Sequence, residues 1–192
     1  MNRRAFLAVM AAFPLAARAQ SRRVPVVGFL GIAGNPYIAG FRQGLRDVGL
    51  IEGGNVTLDY RPAAGIGELP ARAEELVRAE VDVIASGGSL GVVAARRATQ
   101  SIPIVMVGAG DAVGAGLIAS LARPGGNITG ISLLQTEASG KRLQLIKDML
   151  PGLKKIAILW SPDETPATLA LKETEEDRKS TRLNSSHIPL SR

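Results

Sequence analysis

Ala122-Arg123-Pro124-Gly125-Gly126-Asn127-Ile128-Thr129-Gly130-Ile131-Ser132 divides the chain into two unequal parts. Pro124 has no backbone N–H and disfavours helix in the residue before it. The two glycines after it tolerate positive φ, so a helix ending near Arg123 has to turn here. Ile128 to Ser132 is short, β-branched at three positions and suited to an extended run. The stretch reads as a crossing from one α/β lobe to a second, with an ordinary helix-to-strand loop as the plainer alternative.

Upstream of it, strand and helix signals alternate. Val24 to Leu30 is apolar except at Pro25 and Gly28, as in strands buried on both faces. Gly31 to Gly34 follows as a loop. Asn35 and Pro36 suit a helix start, and Ile38, Phe41, Leu45 and Val48 then recur at helical spacing, with Gly49 as a stop. Val56 to Tyr60 alternates as a second strand. Leu69, Ala73, Leu76 and Val77 give the inner face of a second helix. Val81 to Ala85 predicts a third strand, Leu90 to Thr99 a helix, Ile102 to Val107 a fourth strand and Val113 to Leu121 a short further helix. Four such repeats predict a doubly wound parallel sheet with helices on both faces and all strand C-termini on one edge.

Downstream, Thr136 can cap a helix whose inner side is Leu143, Ile146, Met149 and Leu150, and Pro151-Gly152 stop it. Lys154 to Trp160 predicts a strand, Ser161-Pro162-Asp163 its C-terminal loop, and Thr165 to Glu176 the opening of another helix. The expected organisation is an export signal over 1–19, an N-terminal α/β lobe over 20–123, the crossing over 124–135, an incomplete second lobe over 136–176 and a tail over 177–192.

The chain has 192 residues and a formal charge of +6, which invites a nucleic-acid reading until the charge is located. The two ends hold seven of the 23 basic residues and one of the 17 acids, leaving sixteen of each over 20–176. The body is neutral, so nothing argues for a polyanionic partner. Cysteine is absent, which removes disulfides, thiolate nucleophiles and thiolate metal sites.

Residues 1–19 have the parts of an export signal: Arg3-Arg4, an apolar run from Ala5 to Ala17 too short for a stable anchor, and small residues at Ala17 and Ala19, predicting cleavage after Ala19. Arg3-Arg4-Ala5-Phe6-Leu7 also resembles a twin-arginine signal. At the other end, Asp177 to His187 has neither helical nor strand periodicity. It resembles, residue for residue, a translated sequencing adapter, so the expectation for 177–192 is a non-native disordered tail; a natural basic tail is the alternative. The single histidine, His187, lies within it.

In an open parallel sheet, ligands bind beyond the strand C-termini. Four predicted loops lie there: Gly31–Tyr37, Ser86–Ser89, Gly108–Asp111 and Ser161–Glu164. Three are rich in Gly or Ser and lead into helices, where free N–H groups and hydroxyls suit a carboxylate or another small anion. Each alone is explained by a tight turn; three on one edge favour a site. Enzymatic readings find less support. Gly87-Gly88-Ser89-Leu90-Gly91 lacks dinucleotide-fingerprint spacing, no Gly-rich loop ends in Gly-Lys-Ser/Thr, and there is no Gly-x-Ser-x-Gly elbow. Asp82 and Asp111 fall at opposite strand ends, and Arg96-Arg97 reads as a solvated helix face.

Val26-Val27-Gly28-Phe29-Leu30, Phe41-Arg42-Gln43-Gly44-Leu45-Arg46, Gly53-Gly54-Asn55-Val56, Val81-Asp82-Val83-Ile84, Ile102-Pro103-Ile104-Val105 and Leu121 to Gly130, in this order behind the signal, resemble the ABC transporter substrate-binding family that includes tryptophan/tyrosine-binding members. The resemblance covers about residues 1–176. It implies a type I periplasmic binding protein whose two lobes close on a solute and present it to a membrane permease. It also implies three crossings between lobes, of which this chain shows the first. Carried over by loop position, it implies ligand contacts from Tyr37, Ser86, Gly88, Ser89, Ala109 and Asp111 in the first lobe and from Ser161 to Asp163 in the second. The expected protein is a non-enzymatic, periplasmic solute binder, possible ligands being amino acids with aromatic ones favoured. No cofactor, metal or nucleic acid is called for, and the complete protein is expected to be a monomer. The rival readings are a ligand-sensing module of a signalling system and a nucleotide-binding α/β enzyme.

Overall fold

A computed structural model describes residues 23–133, 136–161, 165–181 and 184–189. The export signal and Asp163 lie outside the described residues. The first part is a five-stranded sheet: β1 (Val26–Ile32), β2 (Thr57–Ala63), β3 (Val83–Ser86), β4 (Ile104–Ala109) and β5 (Ile128–Ser132), in the order β2-β1-β3-β4-β5. Every pairing is parallel. Helices α1 (Tyr37–Asp47), α2 (Leu69–Arg78) and α3 (Ser89–Ala98) connect the strands.

β1 is an interior strand, between β2 and β3, and its side chains are apolar on both faces: Phe29 and Leu30 are both fully buried. Leu30 belongs to the larger core beneath α2 and α3, with Leu76, Ile84, Val92, Ile104 and Met106. Phe29 belongs to the smaller core on the other face, where its ring centroid lies 5.2 Å from Phe41 of α1 and 5.8 Å from Tyr60 of β2. Burying one such ring is worth about 1.5–3 kcal/mol. Gly28 sets how closely α2 approaches, since a Cβ there would come within 2.8 Å of Leu76 Cδ2.

The first four strands begin one or two residues later than the apolar runs predict and extend one to three further, so Gly31, Ser86, Gly108 and Ala109, expected in loops, are strand residues. Apolarity marks burial, whereas strand ends are set by where neighbouring backbones overlap in register. The helix expected over Val113 to Leu121 does not form; the segment is a series of turns. Gly114 and Gly116 lie inside it, Gly116 at φ +65°, and Asp111 Oδ1 accepts the Gly114 N–H at 2.8 Å, holding a tight turn instead.

Ile128 to Ser132, read as part of the crossing, is itself β5, the edge strand beside β4. Asn127 fastens its base by donating to the carbonyls of Ile102 (2.8 Å) and Thr99 (3.4 Å). Ser132 fastens its end, Oγ accepting from Ala112 N at 3.2 Å.

The second part contains α4 (Glu137–Met149), β6 (Lys155–Trp160), α5 (Thr165–Thr181) and β7 (Asn184–Pro189). Thr136 occupies the position before α4, but its side chain makes no capping bond. β6 alternates in burial, with Ile156, Ile158 and Trp160 half-buried and Leu159 62% exposed, and all four line a hollow shared with α4 and α5. The tail expected to be disordered takes regular structure over much of its length: α5 continues to Thr181, and β7 pairs in parallel with β6 from Lys155↔Asn184 to Trp160↔Pro189. Backbone groups make that pairing, so an open strand edge accepts a segment whose side chains carry no strand signal.

Candidate functional site

The strand order reverses direction at β1: the chain steps to β2 on one side, then passes to β3 on the other. In open α/β sheets that switch point is where a crevice forms beyond the strand C-termini. Here it is spanned by Asn35, from the loop after β1, and Gly87, from the loop after β3. Asn35 Nδ2 donates to Gly87 O at 3.3 Å, and Asn35 Oδ1 accepts the Tyr37 N–H at 2.8 Å.

A hollow of about 250 Å³ lies over this point. Residues following all five strands line it: Asn35 and Tyr37 after β1, Leu69 after β2, Gly87 to Gly91 after β3, Gly110 after β4 and Leu133 after β5, with Ile32 and Gly108 from strand ends. None of the lining side chains is charged. Tyr37 forms one wall, its ring lying across two glycines. A Cβ at Gly87 would approach Tyr37 Cδ2 to 3.0 Å, and one at Gly108 would sit 3.5 Å from Cε1 and Cζ. A methyl group at Gly87 would push the ring by a few tenths of an ångström, while at Gly108 it would only touch the ring, the constraint there being its φ of +110°.

The first turn of α3 opens onto the hollow. Gly88 occupies its cap position and no side chain caps it, so the N–H groups of this turn are available to an acceptor. The helix dipole favours a negative group there. Ser89 Oγ accepts the Gly110 N–H at 2.9 Å, which joins the third and fourth loops and leaves its hydroxyl proton to donate elsewhere.

Of the residues expected at the site, Tyr37, Gly88 and Ser89 line the hollow. Ser86 does not: it is fully buried beneath the first turn of α3, where a Cβ on Gly91 would fall 2.3 Å from its Oγ, and that Oγ has no hydrogen-bond partner. Ala109 is likewise fully buried within β4. Asp111 spends one carboxylate oxygen on Gly114 N and is outside the lining. Ser161 follows β6 in the second part of the chain. Of the lining residues not singled out from the sequence, Asn35, Gly87, Gly108 and Gly110 lie within the expected loops, whereas Leu69 and Leu133 lie outside all of them. Asn35 carried a visible signal, an Asn-Pro pair closing a Gly-rich loop, but that signal speaks of helix capping and not of a bond to a loop 52 residues away.

A family model described as ABC transporter substrate binding protein matches residues 33–187. The chain belongs to this family. Among relatives of the substrate-binding family, the tyrosine-binding protein of Clostridioides difficile is 32% identical over 143 residues, which are 73% of this chain and 40% of that protein. A conserved domain protein from Vibrio cholerae superposes with a TM-score of 0.80 at 28% identity, over 88% of this chain and 58% of that one. A domain from Streptococcus pneumonia, solved with L-Trp, superposes with a TM-score of 0.75 at 22% identity over the same shares. The fold is that of type I periplasmic binding proteins. The chain thus spans about 40–58% of the length of these relatives.

Proposed function

We propose that this chain contributes the first lobe, and the start of the second, of the periplasmic solute-binding component of an ABC importer. Its ligand is a small carboxylate-bearing solute, an aromatic amino acid in the first instance. A membrane permease is the partner that receives it. The observation that carries this reading is the convergence of residues following all five strands on one uncharged hollow at the switch point, beside the uncapped first turn of α3. The solute's carboxylate accepts from N–H groups of that turn and from the Ser89 hydroxyl, and its ring lies against Tyr37. No residue of the hollow is an acid, a base or an activated nucleophile, which fits capture and release and not chemistry on the ligand. The relatives that bind tyrosine and L-Trp support the aromatic preference.

A one-lobed site leaves the other side of a ligand in water, so the second lobe supplies the remaining desolvation on closure. Calorimetry tests this. A version lengthened to the span of its relatives is expected to take up L-tryptophan or L-tyrosine with micromolar affinity, and the 192-residue chain to show no tight uptake of any amino acid. Micromolar binding by the 192-residue chain, or no uptake of any amino acid or aromatic acid by the lengthened one, would refute the two-lobe account.

A further inference from the structure

Tyr37 is 37% exposed at the start of a helix in which no residue is fully buried, a setting that ordinarily lets a ring sample several rotamers. Two features remove that freedom. Asn35 takes the Tyr37 N–H on Oδ1 and the Gly87 carbonyl on Nδ2, so one side chain fixes both the start of α1 and the loop the ring rests on. The two glycines then admit the ring at 87 and 108 with no Cβ in the way; at Gly87 a Cβ would lie 3.0 Å from both Tyr37 Cδ2 and Asn35 Nδ2. A methyl group at Gly87 would have to push Asn35 and Tyr37 aside by a few tenths of an ångström.

We propose that Asn35 is a positioning residue for ligand selectivity: through its paired bonds to Tyr37 N and Gly87 O it holds the Tyr37 ring flat along the ends of β3 and β4, as a fixed wall that favours a planar ligand side chain over a branched aliphatic one. This rests on reading the hollow as the ligand site. A ring held in place offers a stacking face at no ordering cost to the ligand, whereas a free ring has first to be immobilised.

The test is nuclear magnetic resonance on the whole 192-residue chain, as wild type, Asn35→Ala, Asn35→Asp and Tyr37→Leu, each checked by thermal melting. Without ligand, the Gly87 and Gly108 signals are expected to carry the ring-current shift of Tyr37, whose ring lies against both. That shift is expected to vanish in Tyr37→Leu, to collapse in Asn35→Ala, and to survive in part in Asn35→Asp, which keeps the acceptor for Tyr37 N and loses the donor to Gly87 O. Titration with millimolar L-tryptophan and L-leucine is expected to give a preference of roughly fivefold for tryptophan in wild type, falling to roughly twofold or less in Asn35→Ala and Tyr37→Leu. If tryptophan is preferred and Asn35→Ala keeps both the ring-current shift and the preference, the positioning role is wrong and the ligand site stands. If neither amino acid perturbs Gly87, Ser89 or Gly108 in wild type, the ligand site and the selectivity proposal fall together.

Discussion

Ser89 Oγ accepts the Gly110 N–H at 2.9 Å, a side chain from the first turn of α3 tying down the loop that leaves β4. Together with Asn35 to Gly87 and Ser132 to Ala112, it makes a row of cross-ties running along the sheet edge from β1 to β5. The polar residues of this edge serve first to hold its loops in register. Replacing Ser89 by Ala removes one tie and leaves the Gly110 N–H without its acceptor. A loss of about 1 kcal/mol of stability is expected, with faster hydrogen exchange at Gly110 and no comparable change at Gly87. Unchanged exchange at Gly110 would show that the tie does not order this loop in solution.

Gly91 and Ser86 make a second testable pair. A Cβ at Gly91 would fall 2.3 Å from Ser86 Oγ but 3.6 Å from Ser86 Cβ. Gly91→Ala should therefore cost roughly 1–3 kcal/mol by overpacking, although Ala is the better helix former. Ser86→Ala removes the offending atom, which is also a buried hydroxyl with no partner, and should restore most of the loss. Chemical denaturation of the two single variants and the double one measures the coupling. Additive effects would mean that the two side chains do not meet.

Gly130 should tolerate no side chain. It lies in β5 at φ +129°, and a Cβ there would come within 2.3 Å of Met106 O and 2.6 Å of Met106 N. These are backbone atoms of the neighbouring strand and cannot rotate away. Gly130→Ala is expected to destabilise by about 3 kcal/mol or more, read as a large fall in the denaturation midpoint or as insoluble protein. A midpoint within a few tenths of wild type would show that β5 does not pair with β4 as described.

Asp82 sits at the opposite edge, where Oδ2 accepts the Val26 N–H at 2.7 Å and Oδ1 meets Arg23 at 2.8 Å. The Val26 N–H first, then the Arg23 guanidinium, hold its carboxyl below the ordinary aspartate value. A lowered carboxyl pKa means that folding favours the ionised form. The stabilisation is present above the unfolded-state value near pH 4 and is lost as pH falls through the lower folded-state value. Melting temperature should therefore drop below about pH 4, and Asp82→Asn should flatten that part of the profile. The group is solvent-exposed, so the effect will be small and will shrink with added salt. An unaltered acid limb in Asp82→Asn would remove Asp82 from the account.

The parallel sheet, the order of its first three strand–helix units and the edge on which the glycine-rich loops lie follow from the sequence alone, whereas the turns over Val113 to Leu121 and the joining of Ile128 to Ser132 to the sheet do not. Apolar runs such as Val26 to Leu30 can only be satisfied by burial on both faces, and the helical spacing of Leu69, Ala73 and Leu76 supplies the cover. Tertiary structure decided which side chains on that edge remain available. Ser86 and Ser89 stand three residues apart with the same chemistry, yet one is sealed beneath a helix turn and the other lines the hollow. Asn35, whose local pattern speaks of a helix start, reaches a carbonyl 52 residues away across the switch point. Periodicity records whether a position is buried, because burial repeats with the local geometry of helix and strand. The direction of a polar side chain in a loop, and the partner it finds there, depend on atoms brought close only when distant strands pair.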